Sequence, residues 1–183
     1  EMNTRLVGSE MCIRDREGTY PLPEAQVDRF MFKLLVKYPD KASERLVLRQ
    51  NTTPSDLSKL KDVVSPEEIL DAQNVIQDIY VDEKVEDYVL KLIFATRDPQ
   101  DHGLNDLEGI IDFGASPRAT INLVRAAKAR AFTERRGYIT PEDIRYVGAD
   151  VLRHRIILTY EAEAEELNAD DIIQRLFEVI EVP

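Results

Sequence analysis

The sequence has little cysteine and histidine, the residues that form disulfides and most protein zinc sites. Its 183 residues include one cysteine, Cys12, and two histidines, His102 and His154. A single cysteine cannot form a disulfide within the chain, and two distant histidines provide no clustered Cys/His ligand set. The sequence therefore excludes an intramolecular disulfide and argues against structural zinc.

Long apolar runs and an excess of positive charge are missing as well. No run approaches the roughly 20 apolar residues that span a bilayer, and the N-terminus lacks an apolar signal core. The 35 acidic residues outnumber the 24 basic ones, which gives a net charge of −11. Because spanning and signal segments are missing, we expect a cytoplasmic protein that does not insert into membranes. Because the negative charge repels phosphate backbones and anionic headgroups, we expect no binding to nucleic acid.

The first part of the sequence combines an aperiodic segment with one strand signal. Residues 1–16 have neither helical nor alternating periodicity, and we interpret them as non-native or disordered. A proline-containing loop follows, and the apolar run at residues 30–36 then predicts a buried strand. Nearly everything after it carries helix signals, so we expect the rest of its sheet to precede this sequence.

The remainder of the sequence predicts helices. Three segments place a hydroxyl, a proline and an acid at the positions that a helix start prefers: residues 53–56, 65–68 and 140–143. Apolar residues at helical spacing predict amphipathic helices at residues 82–96, 117–137, 144–158 and 172–180. The last of these follows an acidic linker, because residues 160–183 hold eight acids and one base.

A fourth helix start, at residues 116–119, carries a cation where the other three carry Ser or Glu. Arg118 stands there, and no acid follows at the third helical position. A cation in a first helical turn is unfavourable by about 0.3–1 kcal/mol, and a bound phosphate would compensate it. An arginine fork would add to that phosphate site. The alternative is a surface arginine paired with Asp112 or another acid.

Arg29 lies directly before the predicted strand, so its backbone should be rigidly placed. Rigid placement suits a catalytic arginine that reaches into a neighbouring subunit and stabilises charge on a transferring phosphoryl group. The alternative is a local salt bridge to Glu24 or Asp28.

Two longer segments carry a resemblance to a known family. Residues 17–39, EGTYPLPEAQVDRFMFKLLVKYP, and residues 112–132, DFGASPRATINLVRAAKARAF, resemble characteristic segments of the MoxR-type AAA+ ATPases. Weaker phrases such as YITPEDI follow in the family's order, so that the resemblance covers residues 17–183. It implies a mainly α fold: a remnant of the α/β core, one strand and a loop, in residues 17–40, then a helical lid bundle with an acidic linker and terminal helix in residues 41–183.

The resemblance also implies roles for the two arginines. Arg29 corresponds to the arginine finger, which acts in trans on ATP held by the adjacent subunit. Arg118 corresponds to the sensor 2 arginine, which reaches the phosphates of ATP in its own subunit. ATP and Mg²⁺ would be bound mainly by an N-terminal core that this sequence does not contain.

Three family features are absent from the sequence. No glycine begins the phosphate-binding pattern GxxxxGK[S/T], the acidic magnesium motif is missing, and MCIRDR stands where the Asn-Pro of sensor 1 would precede Glu17. We therefore expect an N-terminally truncated subunit that does not hydrolyse ATP by itself.

The expected partners come from the same resemblance. It implies a homo-oligomeric hexameric ring, a partner with a von Willebrand factor A domain, and chaperone-like remodelling or maturation of a client complex. Two alternatives remain open: a stand-alone acidic helical interaction module, and a helical DNA-binding regulator that would use local basic residues such as Arg125, Lys128, Arg135 and Arg136.

Overall fold

A computed structural model describes residues 22–52 and 63–183 of the chain. Three predictions fall outside the described residues: the non-native or disordered segment predicted at residues 1–16, the loop predicted at residues 17–21 and the helix start predicted at residues 53–56. Where the chain is described, no helix is long and apolar enough to cross a membrane.

The described residues form a mainly helical fold with one small antiparallel sheet, as the resemblance implies. The elements, in chain order, are α1 (Glu24–Val27), α2 (Lys41–Thr52), α3 (Pro66–Gln77), α4 (Glu83–Arg97), β1 (Ile111–Phe113), α5 (Pro117–Thr133), α6 (Pro141–Leu152), β2 (Ile157–Leu158), α7 (Tyr160–Ala164) and α8 (Ala169–Val179).

The helix starts form the caps that their sequences predict. At α3, Ser65 Oγ accepts a hydrogen bond from Glu68 N at 3.2 Å, and Glu68 Oε2 accepts one from Ser65 N at 2.7 Å. At α6, Asp143 Oδ2 accepts a hydrogen bond from Thr140 N at 2.9 Å. These bonds satisfy amide groups that would otherwise lack a partner at the helix end.

The core lies between α4, α5, α6 and α8. The apolar stripe of α4 is buried over its whole length, with Leu92 and Ile93 at 0% exposure. Buried alanines let α5 approach its neighbours closely: Ala119, Ala126, Ala127 and Ala131. The contact between α6 and α8 is also close, because a Cβ atom on Gly148 would lie 2.3 Å from Phe177 Cζ.

Two predicted helix ends are wrong. The helix from Pro117 stops at Thr133, before Gly137, because Arg135 takes the left-handed conformation with φ 59°. Arg136 N then donates to Ala131 O at 2.8 Å, and Arg135 N donates to Phe132 O at 2.9 Å, which closes the helix.

The second wrong end concerns Leu158, which is not part of the helix that contains Ile144, Val147 and Val151. That helix, α6, ends at Leu152. Leu158 instead lies in β2, where it pairs with Ile111 of β1. Its helical spacing was coincidental, because backbone pairing with β1 decides its structure.

The predicted buried strand at residues 30–36 is not formed. These residues have no regular secondary structure, and Leu34, Leu35 and Val36 are 65%, 56% and 93% exposed. A strand needs a neighbour to accept its backbone hydrogen bonds, and the only sheet among the described residues is β1 with β2. Residues 22–40, the described part of the predicted α/β-core remnant, therefore form loop and one short helix.

Candidate functional site

The N-terminus of α5 is held in place by the end of α4. Ala115 N donates to Thr96 Oγ1 at 2.9 Å, and Arg97 Nε donates to Ala115 O at 2.9 Å. The chain passes so close to α4 that a Cβ atom on Gly114 would lie 2.5 Å from Thr96 O. Only glycine fits there without displacing backbone, so the start of α5 has a fixed position.

Arg118 extends from the first turn of α5 and is 53% exposed. The alternative interpretation paired Arg118 with Asp112 or another acid. The structure pairs it with Asp28, since Arg118 Nη1 lies 3.5 Å from Asp28 Oδ2. Ser116 caps the same turn, since its Oγ accepts from Arg118 N at 3.3 Å and donates to Asp28 with both carboxylate oxygens at 3.0 Å.

Asp28 thus supplies the negative charge that the first turn of α5 lacks in its own sequence. The turn contains no acid. A carboxylate from a loop far away in the sequence takes the place of the acid that favours other helix starts. The cation at Arg118 is therefore compensated by an acid of the same chain, as the alternative interpretation held, and phosphate binding at this helix start stays a prediction.

Arg29, the other candidate residue, is exposed in the loop after α1. It forms no ion pair with Glu24 or Asp28, nor with any other acid in the described part of the chain. Within residues 22–52 and 63–183, the Arg29 guanidinium therefore has no acidic partner. Arg29 is the next residue after Asp28, whose carboxylate contacts Arg118 directly.

Arg155, which was not among the predicted site residues, anchors the loop that carries Arg29. Its side chain is 0% exposed, and its Nε donates to Asp28 Oδ1 at 3.1 Å. Its Nη2 also donates to Asp28 O at 2.9 Å, and its Nη1 donates to Met31 O at 3.3 Å. Burial lowers the pKa of Arg155, while Asp28 raises it, and an arginine remains charged in either case.

Two neighbours of Arg155 hold the same loop, and we call Arg153, His154 and Arg155 the basic clamp. His154 Nε2 lies 3.0 Å from Phe30 O, and Arg153 Nη1 donates to Lys33 O at 2.5 Å. Burial lowers the pKa of His154, an effect that the bond to Phe30 opposes. The sequence signal was available: three consecutive basic residues stand just after a helix in an acidic chain.

The electrostatics of the site allow Arg118 to exchange its partner Asp28 for another anion, while Asp28 itself keeps its position. The Arg118–Asp28 pair is long and half exposed, and such pairs contribute about 0–1 kcal/mol. A phosphate could therefore replace Asp28 as the partner of Arg118 at small cost. Arg155 stays with Asp28 because its guanidinium is buried and bonded on several sides.

The described residues can hold one of the two implied cofactors only in part. The exposed Arg118 at a helix N-terminus suits the phosphates of ATP. Across residues 22–52 and 63–183, no group of three or more His, Cys, Asp or Glu side chains is arranged to hold a metal ion. These residues therefore fit a contribution to phosphate binding.

Comparison with known proteins defines the class of this fold. Residues 107–176 match the family model described as AAA lid domain, and this range includes α5, α6 and the basic clamp. The helical bundle is therefore the lid domain of an AAA+ protein.

Similar proteins make the assignment more specific. Chaperone MoxR1 from Mycobacterium tuberculosis is 40% identical over 170 residues, which cover 92% of this chain and 44% of MoxR1. Protein MoxR from Methylorubrum extorquens is 33% identical over 181 residues, which cover 92% of this chain and 52% of that protein. The chain belongs to the MoxR-type AAA+ proteins and corresponds to their C-terminal part, as its sequence segments predict.

A solved structure has the same fold. The crystal structure of a candidate ATPase from Cytophaga hutchinsonii matches with a TM-score of 0.88 at 45% identity, over 92% of this chain and 51% of that one. The chain thus spans about half the length of the relatives it matches.

Proposed function

We propose that this chain is part of a ring-forming MoxR-type ATPase in which its two exposed arginines serve two different ATP sites. Arg118 contacts the phosphates of ATP bound by its own subunit. Arg29 acts as the arginine finger on ATP held by the adjacent subunit. The observation that carries the proposal is the cluster at Asp28, which joins the loop of Arg29 to the helix start of Arg118 and leaves both guanidinium groups exposed.

The chemistry of each arginine follows from its position. The N-terminus of α5 adds a helix dipole and amide groups to the charge of Arg118, so phosphate oxygens are held there. Arg29 has no partner within the described residues, so its charge is available to the phosphoryl group as negative charge develops in the transition state. The basic clamp holds the loop of Arg29 and so limits the motion of its backbone.

Hydrolysis requires residues that the sequence does not contain. Without GxxxxGK[S/T] there is no backbone cradle for the phosphates and no lysine or hydroxyl for phosphate and Mg²⁺. The chain on its own is therefore inactive. In a complete subunit, ATP turnover drives chaperone-like remodelling or maturation of a client complex in the cytoplasm, with a homo-hexameric ring and a von Willebrand factor A domain protein as partners.

A DNA-binding role is the weaker candidate. Two of the basic residues that it would use are engaged within the chain: Lys128 Nζ donates to Gln77 O at 2.8 Å, and Arg136 pairs with Asp143 at 2.6 Å. A net charge of −11 opposes the approach of DNA. A salt-sensitive shift of duplex DNA by the purified chain would favour this role over the ATPase.

Subunit mixing tests the proposed division between the two arginines. A complete subunit is made by joining residues 17–183 to the N-terminal part of M. tuberculosis MoxR1. Arg29→Ala should reduce ATP turnover about 10³-fold, the lower end of the range for an arginine finger, and Arg118→Ala should also reduce it. Mixing with subunits defective only in their phosphate-binding loop should restore turnover to Arg29→Ala, because the donor supplies Arg29 in trans. It should not restore Arg118→Ala, and rescue of neither variant would refute the in-trans role.

A further inference from the structure

We infer that Asp28 is a positioning residue that couples ATP binding in one subunit to the placement of Arg29 at its neighbour's site. This inference rests on the proposed function and concerns a residue to which that function assigns no task. Asp28 links the loop that carries Arg29 to the helix start that carries Arg118. It precedes Arg29 in the chain, and its carboxylate contacts Ser116, Arg118 and Arg155.

The contacts of Asp28 differ in how readily they can be exchanged. Arg155 is fully buried and binds both the carboxylate and the carbonyl oxygen of Asp28. Arg118 is 53% exposed and reaches the carboxylate at 3.5 Å, longer than the 3.1 Å bond from Arg155. An incoming phosphate therefore takes Arg118 away from Asp28, whereas the bond to Arg155 persists.

Exchange at Arg118 changes the forces on the loop of Arg29. In the absence of a phosphate, Asp28 is shared by two guanidinium groups and the hydroxyl of Ser116. When Arg118 turns to a phosphate, Asp28 keeps Arg155 and Ser116 as partners, and its carboxylate is drawn toward the buried arginine. Because Arg29 is the next residue along the backbone, its position follows that of Asp28.

Ser116 provides a second link from the first turn of α5 to Asp28. Its hydroxyl donates to Asp28 at 3.0 Å and accepts from the amide of Arg118 at 3.3 Å. A shift of the first turn of α5 on phosphate binding is therefore passed to Asp28 through one oxygen atom. The polar contacts that the structure gives between this turn and the loop at residues 28–33 all go through the carboxylate of Asp28.

The test compares two kinds of donor subunit in rings with Arg29→Ala recipients, using the complete subunit described above. One donor is defective in its phosphate-binding loop and stays empty. The other is defective in its magnesium motif, so that it binds ATP without hydrolysing it. Coupling through Asp28 predicts that the ATP-bound donor restores turnover about fivefold more than the empty donor, at the lower end of ordinary allosteric couplings.

Donor variants locate the coupling. Asp28→Asn keeps the size of the side chain but removes its charge, and it should bring the ratio between the two donors to about one. Arg118→Ala in the donor should also bring this ratio to about one. Because the side chain of Arg118 is exposed, its removal should leave the fold intact. Asp106→Asn is the matched control, because it removes a surface ion pair with Arg175 at 2.7 Å that has no contact with the loop, and it should leave the ratio unchanged.

The outcomes separate the inference from the proposed function. Rescue by neither donor contradicts the in-trans role of Arg29, and the inference falls with it. Equal rescue by both wild-type donors leaves the proposed function standing and overturns the coupling. A ratio that persists in both Asp28→Asn and Arg118→Ala donors likewise overturns the assignment to Asp28, while loss of the ratio in both, but not in Asp106→Asn, supports it.

Discussion

Replacement of Asp143 by asparagine should destabilise the lid domain strongly, although Asp143 pairs with neither Arg29 nor Arg118. The side chain of Asp143 is 1% exposed, and it pairs with Arg136 at 2.6 Å and with Arg130 at 3.2 Å. It also accepts a hydrogen bond from Thr140 N at 2.9 Å, which caps α6. Asp143 therefore joins the end of α5 to the start of α6.

The size of the effect follows from these contacts. Removing one partner of a buried ion pair costs about 3–5 kcal/mol, and losing a helix cap costs about 0.5–2 kcal/mol. Arg136 and Arg130 keep 27% and 25% of their side-chain surface exposed, so water replaces part of the lost interaction. The asparagine also keeps one oxygen for the cap. We expect a net loss of about 2–4 kcal/mol in the free energy of unfolding, or about 4–16 °C in Tm.

Thermal unfolding of the 183-residue chain, followed by far-UV circular dichroism, measures this loss. Asp106→Asn is the control. Its partner Arg175 is 42% exposed, so the Tm of this variant should stay close to that of the wild type. Equal Tm values for wild type and Asp143→Asn at neutral pH would refute the structural importance of the buried pair.

The pH dependence provides a second readout of Asp143. Burial alone would raise its pKa, but the hydrogen bonds from Arg136 and Thr140 outweigh burial and hold the pKa below its ordinary value. A carboxyl whose pKa is lower in the folded chain stabilises it above the unfolded pKa, and this contribution is lost as the pH falls through the folded pKa. The difference in Tm between wild type and Asp143→Asn should therefore shrink below a pH of about 4.

Three further predictions concern the site itself. Gly114→Ala should lower the free energy of unfolding by about 1–3 kcal/mol, because the new Cβ meets Thr96 O; an unchanged denaturant midpoint would contradict the close packing. Ser116→Ala should cost about 0.5–2 kcal/mol and speed hydrogen exchange in the first turn of α5, and exchange at the wild-type rate would show that Ser116 is not the cap. The purified chain should release no phosphate from Mg-ATP in a colorimetric assay, and turnover that Arg118→Ala abolishes would mean that a nucleotide site exists without the missing loop.

The helices were largely predictable because their signals are local. The caps at Ser65 and Thr140 depend on residues within one turn, and the stripe of α4 depends on spacing alone. The end of α5 was missed because Arg135, not a glycine, takes the left-handed conformation. A non-glycine residue in the left-handed conformation is uncommon, so the position of Gly137 predicted a helix end that is too late.

The site was only partly predictable because its decisive contacts join distant parts of the sequence. The unusual cation at Arg118 predicted that some anion compensates it, but nothing local could show that Asp28, 90 positions away, forms an ion pair with it. Arg155 lies 127 positions from Asp28, and its role depends on burial that appears only in the folded chain. The apolar run at residues 30–36 predicted a strand, yet strand formation depends on a neighbour that the local pattern does not encode.

The most direct test of the central claim is a titration of ATP turnover against the fraction of donor subunits in mixed rings. Donors are complete subunits defective only in their phosphate-binding loop, and recipients carry Arg29→Ala or Arg118→Ala. If the arginines serve different sites, turnover of the Arg29→Ala mixture rises from its baseline to a maximum at an intermediate donor fraction, whereas the Arg118→Ala mixture never rises. A maximum in both mixtures, or in neither, would contradict the assignment of Arg29 to the neighbour's ATP and of Arg118 to its own.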